Sequence, residues 1–375
     1  MPIKVAVPKE TAPGERRVAM EPTVATKLAK LGVEVIMERG AGASARFADE
    51  DFKDVRFVDD AAALYAEADL VFKVQTPTEA EIDQMKDGSV LIGTLYPHRF
   101  PERVQKLRDK KITSFAMELI PRISRAQAMD VLSSQAAVAG YKAAIMGADL
   151  ACRFFPMLTT AAGTIRPSKV VVIGAGVAGL QAIATARRLG AMVEGYDVRS
   201  ATKEQVQSLG AKFIELSIKA EGEGGYAREL TAEEKQKQQE ELADYIAKAD
   251  VLITTAAVPG RPSPKIIPVA TVEKMKTGAV IIDLAAEGGG NCELTRPGET
   301  VEHKGVVIHG PLNVPSQVPL HASEMYAKNL LNFVTPMIQE GEFKPDWTDE
   351  VITGSVLTHD GAIKHEPTRK LVEGA

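Results

Sequence analysis

The stretch that decides the fold is Lys169-Val-Val-Val-Ile-Gly-Ala-Gly-Val-Ala-Gly-Leu180. Its β-branched run predicts a buried strand, and Gly174-x-Gly176-x-x-Gly179 before an alanine-rich segment predicts a tight turn into a helix. Such glycines let the backbone approach a pyrophosphate, whose charge the N–H groups and dipole of the helix N-terminus stabilise. The stretch therefore predicts a dinucleotide-binding fold rather than a glycine-rich turn of another α/β domain.

An acidic residue follows the next predicted strand. This strand, Met192–Tyr196, is followed directly by Asp197. A carboxylate at this point accepts hydrogen bonds from the hydroxyls of an adenine ribose and repels a 2′-phosphate. NAD is therefore favoured over NADP as the ligand, although Arg199 nearby weakens that preference.

The composition limits the class of protein. With 375 residues, 45% hydrophobic and 25% charged, the chain has the size and composition of a soluble two-domain protein. Its net charge of −5 indicates neither a nucleic-acid partner nor a basic membrane-binding face. Cys152 and Cys292 have no metal-ligand spacing, and no metal site is expected. The apolar stretch Val170–Ala186 carries the three glycines, so we expect a strand and a helix there, not a membrane span.

Short apolar runs alternate with helical patterns, which predicts parallel sheets. Helices are expected at Glu21–Leu31, Pro101–Lys110, Ala128–Phe155 and Ser323–Gln339, the last with Pro336 inside it. The predicted strands are Lys4–Pro8, Glu34–Met37, Leu70–Val74, Val90–Leu95, Thr113–Ala116, Val170–Ile173, Met192–Tyr196, Lys212–Glu215, Val251–Thr254, Ala279–Leu284 and Val306–His309.

This order of elements predicts an α/β fold with two Rossmann-like lobes, each a doubly wound parallel sheet, and a cleft between them. Residues 1–135 with 311–375 are expected to form the first, discontinuous lobe, because the chain returns to it after an inserted domain. Residues 136–310 are expected to form the second. A ligand is expected at the carboxyl ends of the second sheet.

A glycine-rich segment interrupts the second lobe. Residues 220–228 contain Gly222, Gly224 and Gly225 beside Tyr226, so the segment is predicted to be either a solvated surface loop or a mobile lid within 220–230. The following helix is predicted to begin at a capping box, Thr231-x-x-Glu234.

Further motifs join the fingerprint. They are Pro121-Arg-Ile-Ser-Arg-Ala-Gln127 with its continuation to Ser134, the Gly225-Tyr226 pair, and Asp283-Leu-Ala-Ala-x-x-Gly-Gly-Asn-Cys-Glu293. With these motifs the chain resembles, over essentially its full length, the NAD(H)-binding component of proton-translocating nicotinamide nucleotide transhydrogenase, called the alpha subunit or domain I. The Arg-Ile-Ser-Arg-Ala-Gln segment is far more specific to that family than the fingerprint.

The resemblance implies an enzyme that exchanges hydride between NADH on this chain and NADP(H) on a partner component. The exchange would be coupled to proton movement through a membrane-spanning subunit. The implied partners are those NADP(H)-binding and membrane-spanning subunits and a second copy of this chain. The implied location is cytoplasmic, attached to the inner membrane through the partner subunits.

The resemblance also implies the residues of the site. Gln127 and Asp130 would position the nicotinamide, Asp197 would hold the adenosine ribose, Tyr226 would cover the site, and no acid–base catalyst is expected. The implied cofactor-binding residues are Arg122, Gln127, Asp130, Ser133, Gly174, Gly176, Val177, Ala178, Gly179, Asp197, Arg199, Gly225, Tyr226 and Ala257. From spacing alone, Arg122 and Asp130 fit a surface ion pair at least as well, and Ser133 a helix-surface hydroxyl.

The alternative is an NAD-dependent alanine dehydrogenase, whose lobes resemble these. Arg17 and Lys73 match that family's substrate-binding arginine and its lysine, whereas His98 and Glu287 depart from its pattern. Oxidising an amine requires a base near the substrate carbon, while direct transfer between two nicotinamide rings requires only alignment. A non-enzymatic NAD sensor of the same fold is a third, more distant hypothesis.

Overall fold

A computed structural model describes residues 2–218, 231–257 and 261–374. The chain divides into two compact units, Met1–Gln135 with Ser316–Ala375, and Ala136–Pro315. The predictions for the 220–230 loop, with Gly225 and Tyr226, concern residues outside this description.

The first unit begins with a six-stranded parallel sheet, counted over the described residues. Its elements are β1 Lys4–Val7, α1 Pro22–Lys30, β2 Glu34–Glu38, β3 Val55–Val58, α2 Ala61–Glu67, β4 Leu70–Phe72, α3 Glu79–Gln84, β5 Val90–Gly93, α4 Pro101–Asp109 and β6 Thr113–Ala116. The strands lie in the order β3-β2-β1-β4-β5-β6, with every pair parallel. This is the strand order of dinucleotide-binding folds.

A helix that starts in the first unit leads into the second. The elements of this part are α5 Val131–Leu150, β7 Leu158–Thr160, β8 Gly163–Ile165, β9 Lys169–Ile173, α6 Val177–Arg188, β10 Met192–Tyr196, α7 Thr202–Ser208, β11 Lys212–Phe213, α8 Ala232–Ala247, β12 Val251–Thr254, α9 Val269–Val272, β13 Val280–Asp283, β14 Thr300–His303 and β15 Val306–His309. The main sheet has the order β11-β10-β9-β12-β13-β15-β14. Its first six strands repeat the order of dinucleotide-binding folds, so the chain direction changes sides between β9 and β12.

The C-terminal segment returns to the first unit, as predicted. Its elements are α10 Pro319–Val334, β16 Ile338–Gln339, β17 Glu342–Phe343, α11 Glu350–Ser355, β18 Val356–His359, β19 Ala362–Ile363 and α12 Glu366–Glu373. β18 pairs with β6, and this pairing is antiparallel, as are β18–β19 and β14–β15. The two Rossmann-like sheets are therefore confirmed, but both carry antiparallel strands at one edge, so they are mixed rather than purely parallel.

Two predicted helices are shorter than expected. α10 ends at Val334 and not at Gln339, because Pro336 has no N–H to continue the helical hydrogen bonds, and Thr335–Met337 forms a 3₁₀ turn instead. α5 starts at Val131, after a 3₁₀ turn over Ser124–Met129. Within the described residues, no helix has both the length and the apolar character needed to cross a bilayer.

The fingerprint strand β9 is buried on both faces. Val170 and Val172 pack in one hydrophobic cluster with α6, while Val171 and Ile173 pack in a second cluster on the opposite side of the sheet. Parallel strands covered by helices on both faces are continuously apolar, which explains the Val-Val-Val-Ile run. The core therefore fixes the position of the turn that follows Ile173.

Candidate dinucleotide site

Each of the three fingerprint glycines has its own role in the turn between β9 and α6. Gly174 has φ +94°, a left-handed conformation that side chains disfavour. A Cβ at Gly179 would lie 1.7 Å from the carbonyl oxygen of Gly174, so helix and turn touch through bare backbone. A Cβ at Gly176 would meet no described atom within 4 Å. Gly176 therefore leaves open space at the start of the helix.

That open space lies at the N-terminus of α6. The helix begins at Val177 with Gly176 as its N-cap, and its first turn contains no acidic residue. A glycine cap offers no side-chain acceptor to the first N–H groups, which stay available to an anion. Val177 is exposed and Ala178 is half-buried, so small apolar side chains border this end of the helix. The arrangement can hold a phosphate group without a cationic side chain.

Asp197 is joined directly to the glycine turn. The N–H of Ala175 donates to its Oδ2 at 2.7 Å, and the residue is only 9% exposed. Burial alone would raise the pKa of Asp197, but the hydrogen bonds from Arg199 and Ala175 outweigh burial and hold the pKa below its usual value. The acid is therefore ionised and lies beside the turn, at the carboxyl ends of β9 and β10.

Arg199 occupies the same carboxylate. Its Nε donates to Oδ1 of Asp197 and its Nη2 to Oδ2, both at 2.9 Å, and its own backbone N–H also donates to Oδ1 at 2.9 Å. The guanidinium is 48% exposed, so it closes the solvent side of an otherwise buried acid. The residue that was expected only to weaken the preference for NAD thus forms a two-pronged ion pair with the residue that sets it.

The loop after β12 is held by an asparagine to which the sequence analysis gave no role. Asn291, fully buried, donates to the carbonyl of Ala256 at 2.7 Å and accepts from the N–H of Ala256 at 3.1 Å. Asp283, also fully buried, in turn accepts from the N–H of Asn291 at 2.7 Å. The predicted cofactor residue Ala257 is therefore the exposed neighbour of a clamped residue. The family motif that contains Asp283 and Asn291 was the available signal.

A second glycine contact was also missed. A Cβ at Gly140, in α5, would lie 2.0 Å from the carbonyl oxygen of Ala178 in the first turn of α6. α5 therefore approaches the fingerprint helix through bare backbone. In the sequence, Gly140 is a single glycine inside a helical pattern, which gives no hint of its distant partner.

In the first unit, the predicted nicotinamide residues follow one another along the chain from 122 to 133. Arg122 and Gln127 are exposed, and neither side chain has a hydrogen-bond or ion-pair partner within residues 2–218, 231–257 and 261–374. Asp130 instead accepts from the N–H of Ser133 at 2.9 Å and from its hydroxyl at 2.6 Å. The described residues thus contain no Arg122–Asp130 ion pair, and Asp130 with Ser133 caps α5.

The 3₁₀ turn that carries Gln127 is tied down on both sides of that residue. Arg125 donates to both carboxylate oxygens of Asp349, at 2.9 and 2.5 Å. The carbonyl of Ala128 accepts from the side chains of Asn329 at 2.8 Å and Asn332 at 3.1 Å. The exposed Gln127 side chain therefore projects from a fixed backbone.

The two cations that match alanine dehydrogenase are paired within the first unit. Arg17 donates to both carboxylate oxygens of Glu15, at 2.8 and 2.7 Å. Burial would raise the pKa of Glu15, but its hydrogen bonds with Arg17 lower that pKa to about 2. Lys73 is 1% exposed and donates to Glu81 at 2.8 Å, with Glu10 at 3.4 Å. Each cation is thus neutralised by carboxylates of its own unit.

Comparison with known proteins identifies the family. The family model described as alanine dehydrogenase/PNT, N-terminal domain, matches residues 6–139, and the C-terminal domain model matches residues 143–366. An NAD(P) transhydrogenase alpha subunit of Rhodospirillum rubrum is 50% identical over 97% of this chain and 98% of its own length. The alanine dehydrogenase of Mycolicibacterium smegmatis is 30% identical over 98% of this chain and 96% of its own.

A solved structure agrees with this result. The transhydrogenase from Sinorhizobium meliloti superimposes with a TM-score of 0.86 and 42% identity, covering 97% of this chain and 99% of that one. The resemblance drawn from the fingerprint and the Arg-Ile-Ser-Arg-Ala-Gln segment is confirmed. The chain belongs to the alanine dehydrogenase/PNT family, and within it to the relatives of the transhydrogenase alpha subunits.

Proposed function

We propose that the chain is the NAD(H)-binding component of a proton-translocating transhydrogenase, in which hydride passes directly between NADH on this chain and NADP+ on a partner subunit. The observation that carries the proposal is the joined pair of turn and acid, in which Ala175 of the glycine turn donates to Asp197. This pair offers a phosphate site and a ribose acceptor side by side. The 50% identity to a transhydrogenase alpha subunit favours that enzyme over other NAD-binding proteins.

The chemistry supplied by bound NADH is a hydride on its nicotinamide ring, and the protein contributes binding and orientation. The N–H groups at the start of α6 hold the pyrophosphate in the space left by Gly176. Asp197 accepts from the ribose hydroxyls, with Arg199 beside it. Ala257 borders the nucleotide from the loop that Asn291 clamps. These contacts fix the adenosine end of the cofactor.

The segment from Arg122 to Ser133 positions the nicotinamide end. Gln127 is exposed on a tied backbone, and its amide can fix a carboxamide. Arg122 is exposed and can pair with a phosphate. Asp130 orders Ser133 and the start of α5. None of these roles requires a proton to be taken from the substrate, in keeping with direct hydride transfer.

The proposed setting follows from the same identification. The partners are an NADP(H)-binding subunit, a membrane-spanning subunit that couples the reaction to proton translocation, and a second copy of this chain. The chain is attached from the cytoplasm to the inner membrane through those subunits. The alternative, an alanine dehydrogenase, has less support because the relative of that name is 30% identical rather than 50%.

Reconstitution tests the proposal. We expect the purified chain to bind NADH but to transfer almost no hydride by itself, because its one glycine fingerprint provides for a single nucleotide. Adding an NADP(H)-binding transhydrogenase component should produce transfer between the two bound nucleotides, followed by the absorbance of a nicotinamide analogue. A parallel assay with alanine and NAD+ on the chain alone distinguishes the alternative. Rapid alanine-dependent NADH formation without a partner would overturn the proposal.

Asp197→Asn should change cofactor choice. The variant loses the charge that binds ribose hydroxyls and repels a 2′-phosphate, so NADH binding should weaken by about 1–3 kcal/mol, the range for a hydrogen bond to a charged group. The difference from NADPH affinity should narrow. Fluorescence titration with both nucleotides measures the effect. Asp244→Asn, on the exposed face of α8, makes the same change of charge and should alter neither affinity. Unchanged affinities in Asp197→Asn would show that the acid does not contact the ribose.

A further inference from the structure

The carboxylate of Asp197 is already saturated with hydrogen bonds. Its Oδ1 accepts from the backbone N–H and the Nε of Arg199, and its Oδ2 accepts from the N–H of Ala175 and the Nη2 of Arg199. A carboxylate has about four lone-pair positions. Four donors fill them, so a ribose hydroxyl can bind Asp197 only where an existing donor withdraws.

Two of the four donors are fixed and two can move. The backbone N–H groups belong to the glycine turn and to the residue that follows β10, whereas the two side-chain donors belong to one guanidinium that is 48% exposed. Two side-chain bonds on Asp197 correspond in number to the two hydroxyls of an adenine ribose. The guanidinium therefore occupies the acceptor positions that the ribose needs.

We propose that Arg199 is a specificity-determining residue that competes with the adenine ribose for Asp197 and thereby narrows the discrimination between NAD(H) and NADP(H). This inference rests on the proposed function, in which the second unit binds NAD(H). For NADH, the guanidinium must leave Asp197 before the ribose hydroxyls can bind, so part of the binding free energy is spent on breaking an ion pair.

For NADPH, the same residue acts in the opposite direction. A 2′-phosphate beside Asp197 brings two like charges together, which disfavours binding. The Arg199 cation lies within hydrogen-bond distance of that carboxylate and neutralises it. Since its exposed guanidinium can turn from a carboxylate to a phosphate, it also offers the 2′-phosphate a partner of the right geometry. Both effects reduce the advantage of NADH over NADPH.

Arg199→Ala separates the two effects. NADH should bind about two- to fivefold more tightly, the change that corresponds to releasing a partly exposed ion pair. NADPH should bind more weakly, so that the ratio of the two dissociation constants rises by about tenfold. Arg199→Lys keeps the charge but loses the two-pronged geometry, and its ratio should fall between those of Arg199→Ala and the parent. Fluorescence titrations of the purified chain with each nucleotide give both constants.

Two further variants control the experiment. Arg188→Ala removes an exposed arginine near the end of α6 and should leave both affinities unchanged. In an Asp197→Asn background, Arg199→Ala should no longer tighten NADH binding, because the competition has been removed already. Weaker NADH binding by Arg199→Ala, or an unchanged NADH/NADPH ratio, would overturn the inference. Failure of the parent chain to bind NADH at all would instead reject the proposed function.

Discussion

Gly179→Ala is expected to abolish NADH binding and to destabilise the second unit by about 3 kcal/mol or more, the upper end of the range for overpacking. The added methyl group would lie 1.7 Å from the carbonyl oxygen of Gly174, a backbone atom that cannot rotate away. Either α6 moves off the sheet or the glycine turn opens. Both changes displace the N–H groups that face the phosphate site. Thermal unfolding and NADH titration together measure the loss.

Gly176→Ala is the matched comparison. Gly176 has φ −78°, which alanine adopts freely, and a Cβ there meets no described atom within 4 Å. We therefore expect the melting temperature of the parent but weaker NADH binding, since the methyl group takes the space in which the pyrophosphate approaches the backbone. A Gly179→Ala chain that bound NADH with parental affinity would contradict the packing argument. A Gly176→Ala chain that did so would remove the phosphate from this turn.

Gln127→Ala is expected to slow hydride transfer in the reconstituted complex by on the order of a hundredfold, the effect of misplacing reacting atoms by about 1 Å. Stability should not change, because the side chain is exposed and makes no contact for which the fold would need a replacement. Binding of NADH should change little, since the proposed contact is with the nicotinamide end alone. Single-turnover transfer rates, measured beside NADH affinity and melting temperature, distinguish an effect on orientation from one on folding.

Neighbouring residues supply the controls for that experiment. Ser124→Ala, an exposed position on the same 3₁₀ turn, should transfer hydride at the parental rate. Asp130→Ala is less clean, because Asp130 also caps α5 and its loss costs about 1 kcal/mol of stability. A Gln127→Ala complex that transferred hydride as fast as the parent would show that the amide does not orient the ring.

Local patterns predicted the parts of the fold that local patterns control. The strand β9, the turn at Gly174 and the helix α6 were predicted because a doubly buried strand, a left-handed glycine and an alanine-rich helix each leave a signal within a few residues. Edge strands left none. β3, with Arg56 inside it, and the antiparallel β14 are short and partly polar, and their pairing depends on distant neighbours.

The same distinction holds in the candidate site. The position of Asp197 at the end of β10 could be predicted from spacing. Its pairing with Arg199 could not, because a rotamer decides whether an arginine two residues away points to the acid or to solvent. The contacts of Asn291 with Ala256 and of Gly140 with Ala178 join residues more than thirty positions apart. Contacts of this kind are created only by the folded backbone.

The pairing of β18 with β6 sets an order of events during synthesis. Ser114 and Phe115 in β6 lie beside Thr358 and Val356, so this strand lacks one neighbour until almost the whole chain has left the ribosome. The second unit, Ala136–Pro315, is contiguous and can fold while the rest is still being made. Meanwhile the open edge of β6 is a place where another nascent chain can pair. Ribosome-bound chains stopped before residue 356 should therefore need chaperone protection for the first unit and not for the second.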